Sequence, residues 1–295
     1  MMICFYHKGD LDGHCSGAIV RHKYPKARMI GIDYEDEFPW NEVKVGDDVI
    51  MCDFSLPMDQ MDRLRRTCVQ VLEGTICDLK ANGFIWIDHH KTAIDKALEA
   101  GFETPGLRVV GKAACELTWE YFFPAPAPLA VWLLGRYDVF DLDAHPDVLP
   151  FQYGMRGEVT DPAVYDPVWK DLFAGNSGIT AAITKAGRRI LDYQRGQDAK
   201  LMARHAFFTV LDDWVALAVN NGPGGSMKFE AWSPLGNYPS YALLISFARL
   251  PKKKWLVNLY TYRDDVDCGE IAKRHGGGGH RKAAGFICDE LPFEI

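Results

Sequence analysis

Short apolar runs alternate with helical patterns through the first half of the chain. The runs are rich in β-branched and aromatic residues and are followed by polar or glycine-rich residues, as expected of buried strands. They are MICFYH at 2–7, RMIGIDY at 28–34, DDVIMCDFS at 47–55 and GFIWIDHH at 83–90. The helical patterns between them are HCSGAIVRHKY at 14–24 and MDQMDRLRRT at 58–67. Strands that alternate with helices predict βαβ units and a mostly parallel sheet.

The second half of the chain changes pattern. Helical patterns cover 112–123 and 127–137, and a longer one with few helix breakers covers 179–206. After it, the runs VALAVNN, YALLISFA and KWLVNLYTY are typical of strands, and a short helix, a glycine loop and a further apolar segment follow. We therefore expect an α/β protein with a domain at 1–180, a linker helix at 181–205 and a smaller domain at 206–295.

Acidic and imidazole side chains follow the predicted strands of the first half. They are His7, Asp10 and Asp12; then Asp53; then Asp88, His89 and His90. In an open α/β sheet, ligands bind at the carboxyl ends of the strands. Because a parallel sheet places those ends side by side, residues far apart in sequence can meet there.

The composition of these clusters favours a metal site. Asp10 and Asp12 are one residue apart, and two carboxylates so close repel each other unless a cation holds them. The segment GRYDVFD adds Asp138 and Asp141 after an apolar helix. Carboxylates and imidazoles without thiolates suit manganese or magnesium better than zinc. A single Asp-x-Asp pair is usually a turn or a helix cap, but the joint pattern at one sheet edge predicts two divalent ions.

Four consecutive glycines lie in the segment KRHGGGGHRKAAGF at 273–286. Glycine permits a positive φ and lets the backbone approach a ligand closely, and successive N–H groups can form an anion-binding concavity. We expect this loop to bind substrate through Gly277, Gly278, Gly279, His280 and Arg281. A flexible hairpin is the alternative. The loop lacks the residue order of a P-loop, so hydrolysis of nucleoside triphosphates is not indicated.

Composition narrows the class of protein further. The 295 residues carry a formal net charge of −7. This overall negative charge disfavours binding of nucleic acid through general electrostatic attraction. The eight cysteines form no C-x-x-C pair and lie mostly in apolar surroundings, as buried thiols of a reducing compartment do. No apolar run approaches the roughly 20 residues that cross a bilayer, and the N-terminus lacks the pattern of a signal peptide. We expect a soluble, cytoplasmic protein with no membrane partner.

Five segments, in this order along the chain, resemble the motifs of the DHH–DHHA1 phosphoesterases. They are HKGDLDGHCSG, CDFS, IDHHKTA, RYDVFD and GGGGHRKAAGF. That family includes RecJ-like exonucleases, nanoRNases that also take 3'-phosphoadenosine 5'-phosphate, and dinucleotide phosphodiesterases. The resemblance implies an N-terminal DHH domain with a five-stranded parallel core, a linker helix and a smaller C-terminal DHHA1 domain. It also implies hydrolysis of phosphoester bonds with two Mn²⁺ ions, Mg²⁺ being the alternative.

The resemblance also implies roles for individual residues. The implied metal ligands are His7 and Asp10 for one ion, Asp12, His89 and Asp138 for the other, and Asp53 as the bridge. Asp88 is expected to orient His89 or its metal-bound partner, and His90 is expected to face the substrate phosphate. Two alternatives stay open: Asp141 in place of Asp138, and His7 as a neighbour of the site instead of a ligand.

The predicted function is hydrolysis of short nucleotide substrates, such as oligoribonucleotides, dinucleotides or 3'-phosphoadenosine 5'-phosphate. Relatives often carry an arginine and a serine before the glycines, where this chain has VNLYTYRDD, so the substrate within the family stays open. Alternatives are a single-strand-specific 5'-3' exonuclease using the basic run PKKKW, a non-catalytic nucleotide-binding module, and a family II inorganic pyrophosphatase, which lacks the glycine segment. Relatives are often dimers, so a homodimer is also an expectation.

Overall fold

A computed structural model describes the chain in five ranges: 1–68, 83–164, 167–222, 227–230 and 242–295. The chain forms two compact units, Met1–Ile190 and Leu191–Ile295. The boundary between the units falls inside the long predicted helix, which runs from Ser177 to His205. Each unit has its own sheet and core, and the two are described separately.

The first unit is built on a parallel sheet. Its strands are β1 (Met2–His7), β2 (Arg28–Ile32), β3 (Asp48–Cys52) and β4 (Phe84–Ile87), in the order β2-β1-β3-β4. All three strand pairs are parallel, so the predicted parallel sheet is confirmed. The predicted order of strands and helices along this half is also found.

The predicted five-stranded core is not confirmed, because the described residues supply four strands and a single further bridge. That bridge pairs Asp88 with Arg108 in parallel. The carbonyl of Pro105 accepts a hydrogen bond from the Trp86 N–H at 2.9 Å. Pro105 has no N–H of its own to continue a ladder, which limits the pairing at this edge. Gly106 then turns with φ of 125°.

Helices cover both faces of this sheet. The described residues of this unit form α1 (Leu11–Lys23), α2 (Met58–Cys68), α3 (Lys91–Glu99), α4 (Ala114–Phe122), α5 (Leu129–Asp138), α6 (Val148–Met155), α7 (Pro167–Phe173) and the start of α8 (Ser177–His205). Helices α1 to α4 pack on the sheet, and α5 to α8 pack against α1 and α4. On one face, Phe5 and Met51 pack with Leu64 of α2. On the other face, Tyr6 and Cys52 pack with Val20, Leu117 and Phe122 of α1 and α4. Burial on both faces is typical of parallel sheets and fixes the strand ends.

The start of α1 is held tightly against the end of β1. Asp10 is the N-cap of α1, and its Oδ1 accepts a hydrogen bond from the Gly13 N–H at 2.9 Å. A Cβ at Gly13 would lie 2.1 Å from the carbonyl oxygen of His7. Only glycine therefore allows this approach, which brings the carboxylates of the first turn next to the end of the strand.

The second unit has a mixed six-stranded sheet. Its strands are β5 (Ala206–Leu211), β6 (Trp214–Asn220), β7 (Leu243–Arg249), β8 (Trp255–Tyr260), β9 (Gly278–Gly279) and β10 (Ala283–Cys288), in the order β5-β6-β7-β8-β10-β9. Strands β6 and β7 are parallel and the other neighbours are antiparallel. Its described residues also include the end of α8, the short helix α9 (Met227–Glu230) and α10 (Cys268–Arg274). The core of this unit contains Ile245, Phe247, Leu259 and Ile271.

The expectation of buried thiols is confirmed for six cysteines. Cys4, Cys15, Cys52, Cys68, Cys115 and Cys268 are buried, whereas Cys288 is half-buried. Cys77 lies outside the described residues. Within the ranges that the structure describes, none of the helices combines the length and the apolar character needed to cross a membrane.

We expect Gly13→Ala to destabilise the first unit, because the added Cβ would collide with the backbone of His7. Overpacking of this kind costs about 1–3 kcal/mol. Gly196→Ala is the matched control, since nothing lies within 4 Å of a Cβ there and alanine favours the helix. Thermal unfolding followed by circular dichroism should show a lower midpoint for Gly13→Ala only. Equal midpoints for the two variants would contradict the packing at the start of α1.

Candidate metal centre

The carboxyl ends of three strands bring the predicted site residues of the first unit together. His7 ends β1, Asp53 follows β3, and the Asp88-His89-His90 segment follows β4. Asp10 and Asp12 are contributed by the start of α1, and Asp138 is the last residue of α5. The convergence follows from the parallel sheet, because every strand delivers its last residues to the same edge.

The first group surrounds His7. Its Nδ1 lies 2.9 Å from Asp10 Oδ2 and 3.6 Å from Asp53 Oδ2. One ligand atom from each of these three residues lies within 4.8 Å of the others. His7 is therefore part of the cluster, and its imidazole is oriented towards two carboxylates.

The second group surrounds His89. Its Nε2 lies 3.2 Å from Asp138 Oδ2, 3.4 Å from Asp53 Oδ1 and 3.7 Å from Asp12 Oδ2. Asp12, His89 and Asp138 again offer ligand atoms within 4.8 Å of one another. Asp53 thus contacts the first imidazole through one oxygen and the second through the other, so its carboxylate is shared between the two groups.

Asp53 has features that call for a cation. It is 1% exposed, and neither of its oxygens accepts a hydrogen bond from the residues that the structure describes. Its φ of 55° places it in the left-handed region, where residues at functional sites are often held. Asp138 Oδ2 is likewise buried without a hydrogen bond in the described parts of the chain. Buried carboxylate oxygens need compensation, and a divalent ion held by oxygen and nitrogen ligands fits this donor set.

Asp12 is held by the N-terminus of α4. Its Oδ2 accepts a hydrogen bond from the Ala114 N–H at 2.8 Å and its Oδ1 accepts one from the Cys115 N–H at 2.7 Å. The preceding residue, Ala113, has no side chain that could cap this helix, so Asp12 satisfies N–H groups that the helix leaves open. Burial, together with the nearby Asp53, raises the pKa of Asp12 to about 7.

Asp88 fixes the orientation of His90. Its Oδ1 lies 2.7 Å from His90 Nδ1 and accepts hydrogen bonds from the backbone N–H groups of His89 at 2.7 Å and His90 at 3.1 Å. Its Oδ2 accepts a hydrogen bond from Trp86 Nε1 at 3.2 Å. The sequence prediction gave Asp88 the role of orienting His89 or a partner, and the structure shows contact with the His90 ring and with the backbone of both.

The alternative between Asp138 and Asp141 has a clear geometric outcome. Asp138 points to His89, whereas Asp141 Oδ2 lies 3.4 Å from Arg136 Nη1, and the Asp141 side chain is 50% exposed. Arg136 also forms an ion pair with Glu116 of α4. The cluster therefore contains Asp138, and Asp141 belongs to a neighbouring ion-pair network.

The sequence reasoning missed two residues beside this cluster, Asp33 and Tyr34. Asp33 Oδ1 lies 3.6 Å from His7 Nε2. The Tyr34 ring lies 5.6 Å from the His7 ring and 6.3 Å from the His90 ring, measured between centroids. Both residues directly follow β2, so the rule that identified the other strand ends would also have found them.

The charges of the cluster are coupled. Burial alone would lower the pKa of His7, but the contacts with Asp10 and Asp53 raise it to about 11. Burial likewise opposes protonation of His89, whose pKa the carboxylates of Asp53 and Asp12 raise to about 10. Burial would raise the pKa of Asp53, but contacts with His7 and His89 lower it below its ordinary range. Without a cation, protons on the two imidazoles compensate the carboxylates.

The predicted substrate loop lies in the second unit, between α10 and β10. A Cβ at Gly277 would lie 2.0 Å from the Gly285 carbonyl oxygen, and one at Gly279, where φ is 141°, would lie 2.6 Å from Ala284 Cα. Glycine is thus required at both positions, because the loop passes too close to β10 to leave room for a Cβ. Gly278 has nothing within 4 Å of a Cβ, so packing does not explain it.

The basic residues after the glycines have contacts of their own. The His280 N–H donates to the Ala283 carbonyl at 2.7 Å and closes the turn between β9 and β10. Arg281 donates to the backbone carbonyl of Asp264, and Lys282 Nζ lies 2.7 Å from Asp264 Oδ1. Arg281 remains exposed. The loop is therefore an ordered turn, in which Gly278 and Arg281 are exposed.

The sheet order, the covering helices and the carboxylate–imidazole cluster define an α/β protein with a candidate divalent-metal centre at the strand ends. No family model matches the sequence. A solved DHH domain, from a member of a family of ribosomal proteins, aligns with 97% of this chain and 82% of its own at 15% identity and a TM-score of 0.53. The DHH fold inferred from the motifs is thereby confirmed.

Two further comparisons accompany this one. An uncharacterized protein of Acanthamoeba polyphaga mimivirus is 27% identical over 267 residues, which are 83% of this chain and 55% of that protein. The chain thus spans about half the length of the curated relative that it matches. A structure of the exonuclease RecJ bound to manganese aligns with 98% of this chain and 86% of its own at 15% identity and a TM-score of 0.46.

We expect the cluster to bind Mn²⁺ through Asp138 and not through Asp141. Isothermal titration calorimetry should show saturable Mn²⁺ binding to the unaltered chain, and Asp138→Asn should weaken it by roughly tenfold or more, since even outer partners of metal ligands contribute that much. Asp141→Asn is the matched control and should bind Mn²⁺ normally. Weaker Mn²⁺ binding by Asp141→Asn, together with unchanged binding by Asp138→Asn, would reverse the assignment.

Binding of Mn²⁺ should tighten as the pH rises. The pKa values of His7 and His89 lie above the ordinary value of about 6.5. Their protonation stabilises the metal-free fold fully below about pH 6.5, and that contribution is lost as the pH rises through about 10 to 11. A metal that takes either imidazole must displace its proton, so the affinity should rise by about tenfold per pH unit for each proton released.

Calorimetry between pH 6 and 8 in buffers of different ionisation enthalpy measures both the affinity and the number of protons released. An affinity that does not change with pH, together with no proton release, would exclude both imidazoles as ligands.

Proposed function

We propose that this chain is a metal-dependent phosphoesterase that hydrolyses phosphoester bonds of short nucleotide substrates. The observation that carries the proposal is the buried carboxylate of Asp53, which lies between two imidazoles and accepts no hydrogen bond from the described residues. The DHH fold supports it, because the motif segments fall at the strand ends where ligands bind in such sheets.

The proposed ligands form two sets that share Asp53. One set is His7, Asp10 and Asp53, and the other is Asp12, His89, Asp138 and Asp53. Divalent ions bound there supply positive charge to a phosphoryl group and a nucleophile from water at neutral pH. Mn²⁺ is the proposed ion and Mg²⁺ the alternative, because the donors are carboxylate oxygens and imidazole nitrogens.

His90 is the proposed contact to the substrate phosphate. Asp88 holds His90 Nδ1 at 2.7 Å, so the opposite ring nitrogen points away from Asp88. An imidazolium fixed in this way stabilises negative charge that develops on a phosphoryl oxygen. Burial opposes the charged form, but the contact with Asp88 raises the pKa of His90 above its ordinary value. Asp88 acts through His90 and is a positioning residue.

The proposed substrate domain is the C-terminal part, 206–295, following the metal-binding domain at 1–180 and the linker at 181–205. Within this part, the proposed substrate contacts are Gly277, Gly278, Gly279, His280 and Arg281, of which Gly278 and Arg281 are exposed. Cytoplasmic location and homodimerisation stay predictions from the sequence.

Two observations bear on the alternative functions. A long-strand exonuclease would need a basic channel with stacking aromatics. In this chain, Lys254 Nζ lies 2.7 Å from Asp289 Oδ1 and the Arg249 guanidinium lies 4.8 Å from the centre of the Trp255 ring, so part of the basic run is already paired. A non-catalytic module would not require two complete ligand sets. The first observation disfavours a long-strand exonuclease, and the second favours an enzyme over a binding module.

We expect Mn²⁺-dependent hydrolysis of at least one short substrate from a panel of dinucleotide, cyclic dinucleotide, short RNA and 3'-phosphoadenosine 5'-phosphate. Asp53→Asn should reduce the rate by about a thousandfold, the size of loss seen when one electrostatic contact to a transition state is removed. Asparagine tolerates the left-handed backbone at this position, so the fold should persist. Product chromatography measures the rates.

Asp141→Asn is the control and should hydrolyse the same substrate at the unaltered rate. Retained activity in Asp53→Asn, or no hydrolysis of any substrate by the unaltered chain with Mn²⁺ or Mg²⁺, would contradict the proposed function.

A further inference from the structure

An exposed aromatic ring lies directly beside the candidate metal centre. Tyr34 is 55% exposed, although its ring centroid lies only 5.6 Å from that of His7. The aromatic residues that fill the core of this unit are different, since Phe38 is 9% exposed and Phe54 is 2% exposed. Core packing therefore does not explain why a large ring is present at this position.

Neighbouring aromatic rings hold the Tyr34 ring in place. It packs against Phe54 with centroids 4.7 Å apart, and Phe54 directly follows the shared carboxylate of Asp53. The His90 ring lies edge to face with it, with the centroids 6.3 Å apart and an interplanar angle of 79°. Aromatic pairs at such distances are attractive and restrict the ring, so Tyr34 presents a fixed apolar surface.

The backbone that carries Tyr34 is also fixed, by a turn formed by residues 33–36. The Asp33 N–H donates to Asp36 Oδ2 at 2.8 Å, and the Asp36 N–H donates to the Asp33 carbonyl at 3.0 Å. Lys8 Nζ then ties Asp36 to the end of β1 at 2.6 Å. The turn is therefore closed on itself and anchored next to the strand that carries His7.

We propose that Tyr34 is a stacking platform for the nucleobase of the substrate, so that the centre selects phosphoesters carrying an unpaired base near the bond to be cleaved. The proposal rests on the proposed function and specifies its substrate class. Bases stack on aromatic side chains with little sequence preference, because every base has a π face. A base and its phosphate are separated by one sugar, so a ring beside His7 is placed to hold the base while the phosphate occupies the centre.

The same arrangement disfavours substrates that have no base. Pyrophosphate and polyphosphate would gain no binding free energy from an apolar ring, because their charged groups cannot hydrogen-bond to it. An exposed ring such as Tyr34 thus distinguishes a centre that binds nucleotides from one that has the same carboxylates and imidazoles but binds inorganic phosphates.

Equilibrium binding tests this without requiring turnover. Calorimetry with Mn²⁺ present should give a Kd for AMP that is roughly 5-fold to 100-fold lower than that for ribose 5-phosphate, the range expected for one stacked base. Tyr34→Leu keeps an apolar side chain but removes the plane, and should bring the two affinities within about threefold. Tyr34→Phe keeps the ring and should retain the preference for AMP.

Tyr193→Leu is the matched control, because Tyr193 is 68% exposed on α8. It should show the same preference as the unaltered chain. Equal affinities for AMP and ribose 5-phosphate in the unaltered chain, binding of neither, or a preserved preference in Tyr34→Leu would each overturn the proposal. A loss in Tyr34→Phe as large as in Tyr34→Leu would assign the effect to the hydroxyl and overturn stacking.

The hydrolysis panel separates this proposal from the one on which it rests. A preference for AMP that depends on Tyr34, without Mn²⁺-dependent hydrolysis, would overturn the proposed function and support the platform. Hydrolysis without any dependence of binding on the base would overturn the platform and support the function.

Discussion

The charge balance around Asp53 is the interaction on which the rest of the site depends. A carboxylate that is 1% exposed and accepts no hydrogen bond from the described residues would be very unfavourable if it had no positive neighbour. Imidazoles on both sides, His7 and His89, supply that charge when they are protonated. The same geometry suits a divalent cation in place of those protons, so the arrangement that keeps the metal-free fold stable is also the arrangement proposed to bind metal.

Asp53 can lie there only because the sheet is parallel and covered on both faces. Antiparallel neighbours would send alternate strand ends to opposite edges, and His7, Asp53 and His89 would not meet. The cores on the two faces, around Met51 on one side and Cys52 on the other, hold β3 so that the next residue projects into the cluster. Packing far from the polar atoms thus determines the distances between them.

The sequence predicted most of this unit because its signals are local. Each strand ends at a polar residue that interrupts an apolar run, and β1, β3 and β4 were located in this way together with Asp53 and His89. Helix α6 was missed because its residues, VLPFQYGM, are apolar on all sides and include a proline, so they show no helical period. The partners of Asp12 also could not be predicted, since Ala114 and Cys115 are more than a hundred residues away along the chain.

The glycine segment shows a different limit of sequence reasoning. The four glycines suggested close approach to a ligand, yet Gly277 and Gly279 are needed for close approach to the chain's own β10. A requirement for glycine indicates that something is near, and the sequence does not say whether it is a ligand or another strand. Of the three glycines predicted to bind substrate, only Gly278, which faces open space, keeps the original interpretation without competition from packing.

The contact between Asp12 and the start of α4 has a consequence for the history of such a site. The amino end of a helix carries partial positive charge, and here it is directed at the acidic cluster. Part of the repulsion among the carboxylates is therefore offset by the backbone itself, whichever side chains surround it. A descendant that lost its ions could keep the fold and drift towards a new role, because the helix would still stabilise the Asp12 carboxylate in part.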